Sequence, residues 1–272
     1  LNQPVAIKIL NKEFVNNENI RKRFLAEGKN MFRMSHPNII KVIDLIDLED
    51  TVAIVMEFID GETLKDNLDR KGRLVESEIR LLFNQMLDAV EYVHDQGLVH
   101  RDIKPSNFMI SKKGVLKLLD FGIAKNTDKS SSEYTQTGTL QSMGTPMYMS
   151  PEQVKDSKFV TFQTDIYSLG VVLWQMVTGR KPYNNDTISN FEMQSKIVNE
   201  KLPYTGSSFD LIIKHATAKA VENRYKKCSD ILNDLKNPYT PKNDNKTEIN
   251  NQHSNDNLWD IKLEKTVVEK NP

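Results

Sequence analysis

The sequence has a single cysteine in 272 residues, Cys228, so it cannot form an internal disulfide, and no metal-ligand spacing surrounds that thiol. Cys228 reads as a packed side chain rather than a nucleophile. No apolar run approaches the roughly 20 residues of a membrane span, and no basic start precedes a short apolar stretch as in a signal peptide. A cytoplasmic location is the expectation. Net charge is also missing: 37 Lys and Arg balance 37 Asp and Glu, which removes the global electrostatic case for nucleic acid or an anionic membrane. There is no internal repeat. The first residue is Leu1 rather than Met, so the native start is expected upstream. What is present, 38% hydrophobic and 27% charged residues, suits a globular chain with one large domain or two small ones.

Along the chain, "QPVAIKIL" at 3 to 10 reads as a strand, with Val5, Ile7 and Ile9 alternating with Ala6 and Lys8 and Pro4 at its edge. If that strand packs on a core, its lysine asks for a reason. "RKRFLAEGKNMFRM" has Phe24, Met31 and Met34 near helical spacing, and "SHPN" stops that helix before "IIKVIDLI" and "TVAIVMEF" resume strand character. A small sheet with one helix is predicted up to about residue 58. After Gly61, Ile79, Leu82, Met86, Val90 and Val93 recur at steps of three and four, and Gly97 closes that helix. "DIYSLGVVLWQMV" predicts a buried central helix, and further helices are expected near 190 to 200, 207 to 219 and 227 to 236. From Asn237 the chain is rich in Asn, Asp, Lys and Thr, and 237 to 272 reads as a disordered tail, with "LWDIKLEKTVVEK" a candidate for a short docked element.

Two polar segments interrupt these patterns. "HRDIKPSN", 100 to 107, is a loop in which Asp102, Lys104 and Asn107 stand close together, with Pro105 stiffening the turn. Two oxygen-bearing side chains and a cation converging on one point suit a phosphate and a metal. "VLKLLDFG" then brings Asp120 from a strand end, followed by Phe121 and the pivot Gly122. Asp carboxylate and Asn carbonyl oxygens are hard ligands, and Mg²⁺ prefers one or two of them together with phosphate oxygens and water. Alone, each piece has a bland reading: Lys8 a snorkelling lysine, His-Arg-Asp a surface ion-pair loop, Asp-Phe-Gly an ordinary turn.

Together, Val-Ala-Ile-Lys at 5 to 8, His-Arg-Asp with Asn107 at 100 to 107, Asp-Phe-Gly at 120 to 122 and Ser-Pro-Glu at 150 to 152 resemble the signature set of the eukaryotic-type protein kinases. "HRDIKPSN", "DFGIAK", "GTPMYMSPEQ" and "DIYSLGVVLWQMVTGRKPY" are most similar to bacterial Hanks-type serine/threonine kinases, over Val5 to about Leu235. The resemblance implies an α+β, two-lobed fold: a kinase domain at 1–236, with a small lobe at 1–60 and a large lobe at 61–236, lacking its first two strands. It also implies ATP and Mg²⁺ as cofactors and protein substrates as partners.

By that resemblance Asp102 would orient the substrate hydroxyl and accept its proton, and Lys104 would neutralise the migrating phosphate. Asn107 and Asp120 would hold Mg²⁺, and Lys8 would contact the α- and β-phosphates while paired with a helix carboxylate. Glu27 is the favoured carboxylate, ahead of Glu18 and Glu13. Ala6 and Met109 resemble the residues above and below the adenine, Met56 the residue behind it, and the backbone of Glu57 through Ile59 its edge contacts. His100, Phe121 and Met31 resemble members of an internal apolar stack. Lys104 with Thr145 matches the serine/threonine version of the two loops. The hydroxyl-rich "SSSEYTQTGTLQS" resembles an activation loop, with Thr137 and Thr139 as candidate phosphosites facing Arg101. Asp165 resembles a brace of the catalytic loop, and Arg224 the partner of Glu152.

The Gly-rich phosphate loop of the family is missing ahead of Lys8. A fragment of a working kinase is the favoured explanation, and this chain is expected to bind ATP weakly. The alternatives are a catalytically impaired interaction module and a small-molecule kinase, the latter disfavoured by "GTPMYMSPE".

Overall fold

Strand β1, Val5–Ile9, keeps the predicted period of two: Val5, Ile7 and Ile9 are 42%, 52% and 63% exposed, while Ala6 and Lys8 face inward. The computed structural model describes residues 3–120, 146–156, 160–182 and 188–236. In these, a three-stranded antiparallel sheet runs in the order β1-β3-β2, with β2 at Val42–Leu48 and β3 at Thr51–Glu57. Lys8 and Leu45 both lie opposite Ile54, so the three residues form one row across the inward face. The lysine therefore belongs to the face that packs, and the apolar alternation lies on the other.

A short helix α1, Lys12–Val15, leads into α2, Glu18–Phe32, whose first turn is capped by the Asn17 side chain accepting from the amides of Asn19 and Ile20. Gly28 lets α2 approach the sheet: a Cβ there would lie 2.5 Å from Leu45 Cδ2 and 3.1 Å from Ile54 Cδ1. That close approach sets Glu27 and Met31, both buried, against the row containing Lys8.

The remainder is mainly helical. Strand β4, Gly61–Thr63, and helix α3, Leu64–Lys71, precede the long helix α4, Glu76–Asp95. The buried Ile79, Leu82, Met86, Val90 and Val93 line one side of α4, and Gly97 follows with φ 74°. Strands β5, Phe108–Ser111, and β6, Leu116–Leu118, join β4 in a second antiparallel sheet of order β4-β5-β6. Helix α5, Pro151–Lys155, is followed by α6, Phe162–Thr178, which is buried along nearly its whole length. Gly170 lets α6 close onto Ala216 and Thr217 at the end of α8, Asp210–Ala216. Helices α7, Asn190–Asn199, and α9, Cys228–Lys236, complete the set. Helix α8 is shorter than predicted because Asp210 accepts the amides of Thr205 and Ser207, holding the preceding residues in a turn. Among the described residues no helix is long and apolar enough to cross a membrane. The tail from 237 lies outside them.

Candidate active site

Three segments far apart in sequence build the site. The first is the inward face of β1. Lys8 Nζ lies 2.9 Å from Glu27 Oε1 and 3.1 Å from Asp120 Oδ1. Burial pushes the Lys8 pKa down, but the Glu27 and Asp120 carboxylates outweigh it and raise the group above the ordinary lysine value. The ammonium is therefore held charged at a half-buried position between two elements. Ala6, one step along, lies opposite Met56, and Met109 on β5 lies opposite Thr63 and Lys117.

Glu57, at the end of β3, is tied down on several sides: its amide donates to Lys41 O at 2.9 Å, and Oε1 accepts Lys41 N at 2.8 Å and Lys117 Nζ at 2.7 Å. Its amide is thus committed to the protein. Phe58 beyond it is exposed and Ile59 is buried.

The second segment is the loop at 100–107. Asp165, fully buried near the start of α6, accepts the amides of His100 and Arg101, both at 2.8 Å, and lies 2.8 Å from His94 Nε2. One carboxylate thus fixes the backbone two residues before Asp102. The Lys104 ammonium is 2.8 Å from Asp102 Oδ2, and Asn107 Nδ2 donates to Asp102 O at 2.8 Å and to Oδ2 at 3.1 Å. A 3-10 turn at Pro105–Asn107 makes this convergence possible, with the Asn107 amide donating to Lys104 O at 3.0 Å. His100 is buried in the core, as a structural residue is.

The third segment is β6 and its exit. Asn38 Nδ2 donates to Leu116 O at 2.8 Å and to Gln85 Oε1 at 2.9 Å, and the Leu116 amide donates to that same Gln85 oxygen at 2.9 Å. β6 is thereby pinned between the loop after α2 and helix α4. Its exit meets the loop at 100–107, because the Leu119 amide donates to Asn107 O at 2.8 Å. Asn107 and Asp120 are neighbours through that one backbone hydrogen bond.

A continuous chain of contacts therefore runs from Glu27 through Lys8 to Asp120, through Leu119 to Asn107, and on to Asp102 and Lys104. The donor set fits Mg²⁺: the Asn107 amide nitrogen is spent on Asp102, so its carbonyl oxygen would be the atom offered to a metal, and Asp120 would add a carboxylate. Two hard oxygens suit an ion that fills the rest of its shell with phosphate and water.

Arg224 and Glu152 form a largely buried ion pair. Both guanidinium ends reach the carboxylate, at 2.7 and 2.8 Å, and Thr164 Oγ1 adds a bond to Glu152 at 2.8 Å. Burial pushes the Glu152 pKa up, and Arg224 more than reverses it, holding the carboxyl below the usual range.

Thr145, Thr137, Thr139 and Phe121 lie outside the described residues. Sequence reasoning missed two contacts. It paired Lys8 with Glu27 only, whereas Asp120 shares the ammonium. It also passed over Gln153, whose Nε2 donates to Arg101 O at 3.0 Å. Neither has a local sequence signal, because both join segments that only the fold brings together.

A family model described as the protein kinase domain matches residues 1–245. The probable serine/threonine-protein kinase CPE1738 of Clostridium perfringens is 40% identical over 243 residues, covering 86% of this chain and 34% of that protein. The serine/threonine-protein kinase PrkC of Bacillus subtilis is 35% identical over 241 residues, covering 87% and 36%. PknB of Mycobacterium tuberculosis, also a serine/threonine-protein kinase, is 33% identical over 245 residues, covering 86% and 38%. The chain spans a little over a third of the length of these curated relatives.

Proposed function

The chain belongs to the protein kinase family, and on that premise we propose that it is a serine/threonine protein kinase, transferring the γ-phosphate of ATP to Ser and Thr hydroxyls of protein substrates. The observation that carries the reading is the unbroken set of contacts joining Lys8, Asp120, Asn107, Asp102 and Lys104. The reading is supported because phosphoryl transfer requires of a protein a cation for phosphate, oxygen ligands for a metal and a carboxylate for a hydroxyl, and these residue types are joined in that set.

In this reading Lys8, oriented by Glu27, holds the α- and β-phosphates. Asp102 orients the acceptor hydroxyl and takes its proton as the oxygen attacks. Lys104 neutralises charge on the phosphoryl group in flight, from a position already paired with Asp102. Asn107 and Asp120 would hold Mg²⁺, which would supply charge neutralisation to the phosphates. Ala6, Met56 and Met109 enclose the adenine, with the carbonyl of Glu57 and the backbone of Ile59 along its edge. Thr145 bridges Asp102 and Lys104, and Thr137 and Thr139 are autophosphorylation sites. The division into lobes at 1–60 and 61–236, with a tail at 237–272, and a cytoplasmic placement belong to the same proposal.

The test is transfer of labelled phosphate from ATP with Mg²⁺ to a generic basic protein, with Asp102→Asn as control. Transfer well above that control supports the reading, and transfer equal to it supports a noncatalytic module instead.

A further inference from the structure

Arg101 is the sole non-glycine with positive φ among the described residues, at 67°. A side chain in the left-handed region persists only where its surroundings hold it there. Two side chains from different helices do so. Asp165 of α6 accepts the Arg101 amide at 2.8 Å, and Gln153 of α5 donates from Nε2 to the Arg101 carbonyl at 3.0 Å. That carbonyl belongs to the peptide group joining Arg101 to Asp102, so Gln153 grips the unit from which Asp102 projects.

The other half of the Gln153 amide is differently engaged. Oε1 accepts the Ser150 amide at 3.0 Å, while the Gln153 amide donates to Ser150 Oγ at 3.3 Å, forming the reciprocal capping box of α5. Glutamate serves a capping box as well as glutamine does, but only the amide can donate to a carbonyl. The cap therefore does not explain the amide nitrogen, and Arg101 does. Beside the loop lies a small cleft lined in part by Arg101, Asp102, Lys104, Tyr148 and Gln153.

We propose that Gln153 is a positioning residue for the transfer reaction: it holds the strained Arg101–Asp102 peptide and thereby aims the Asp102 carboxylate. This rests on the kinase reading above. Gln153 touches neither nucleotide nor acceptor in this role, and acts only through the backbone of the loop.

The decisive variant is Gln153→Glu, which keeps the capping acceptor and removes the donor; Gln153→Met removes both. Gln153→Glu is expected to lower kcat roughly 10- to 100-fold, as misaimed catalytic groups do, with KM for ATP unchanged within about twofold. In the same samples, amide hydrogen exchange in the peptide covering 98–104 is expected to quicken, while that of α6 stays as in the wild type. Gln153→Met is expected to match the loss of kcat and also to quicken exchange in α5. A Gln153→Glu variant with wild-type kcat, or with unchanged exchange at 98–104, overturns the proposal. Wild-type protein that transfers no more phosphate than Asp102→Asn refutes the kinase reading separately, and the exchange comparison still decides whether Gln153 holds Arg101.

Discussion

Lys8 and Asp120 form an ion pair at 3.1 Å, sharing an ammonium that also meets Glu27 at 2.9 Å. The lysine thus links strand, helix and the exit of β6. Because its two partners are carboxylates, neutralising the position leaves them facing one another without a counter-charge.

Lys8→Met is expected to lower phosphate transfer by about 10²-fold or more, as removal of a positioned charge does. Lys8→Arg is expected not to restore it, since the planar guanidinium does not replace a compact ammonium. Steady-state kinetics with ATP checks both. The Lys8 pKa is raised from 10.5, so its contribution to stability is fully present below that pH and is lost only as pH climbs through the higher folded value. Lys8 itself is therefore expected to add no pH dependence to stability from about pH 6 to 9, as urea unfolding of the wild type across that range checks.

Gly28 sets the distance between α2 and the sheet, since a Cβ would fall 2.5 Å from Leu45 Cδ2. Gly28→Leu is expected to push the helix off the Lys8 row, costing about 1–3 kcal/mol through overpacking and lowering activity by withdrawing Glu27. Urea unfolding and kinetics on the same variant check the pair of effects. Stability falling with full activity would show that Glu27 does not depend on this contact.

Arg224 is fully buried, and besides Glu152 it donates to the carbonyls of Ala218, Gln163 and Lys219. Arg224→Met is expected to destabilise the fold by about 3–5 kcal/mol, because it strands a largely buried carboxylate. The lowered Glu152 pKa contributes stability that is present above the ordinary value of 4.5 and is lost as pH falls through the folded value. Glu152→Gln should accordingly flatten part of the acid limb in urea titrations at a series of pH values.

Lys219 gives a slope of the same sign in the alkaline range, from a different cause. Burial, aided by Arg224 and opposed by Glu200, pushes its pKa from 10.5 down to about 8, while Nζ donates to Tyr167 Oη at 3.0 Å and Ile197 O at 2.6 Å. Between those two pH values the unfolded chain binds a proton that the folded chain does not, so unfolding free energy rises with pH. The stability gap between wild type and Lys219→Met is expected to widen in favour of wild type from about pH 7.5 to 9.5 in chemical denaturation. A gap that does not change with pH would contradict the assignment.

The helices were legible where apolar residues recur over many turns, as in α4 and α6, because periodicity over that length has few competing explanations. Short elements were not. Helix α3 escaped notice although Thr63 and Asp66 form a capping box at its start, a signal present in the sequence and not used. The facing of β1 was not legible, because alternation shows that two faces differ but not which one packs, and α2 covers the side bearing Lys8. Within the site, residue types and spacing identified Asp102, Lys104 and Asn107 as a group because they lie in one loop. The contacts Lys8–Asp120, Leu119–Asn107 and Gln153–Arg101 depend on the fold, and no local pattern announces them.

The most direct measurement compares initial rates of phosphate transfer from labelled ATP and Mg²⁺ to a serine- and threonine-containing basic protein, for the wild type and for Asp102→Asn at matched stability. The account predicts transfer by the wild type, label recovered on serine or threonine, and a loss of about 10²-fold or more in the variant. Equal rates in the two proteins, or label recovered only on tyrosine, would contradict it.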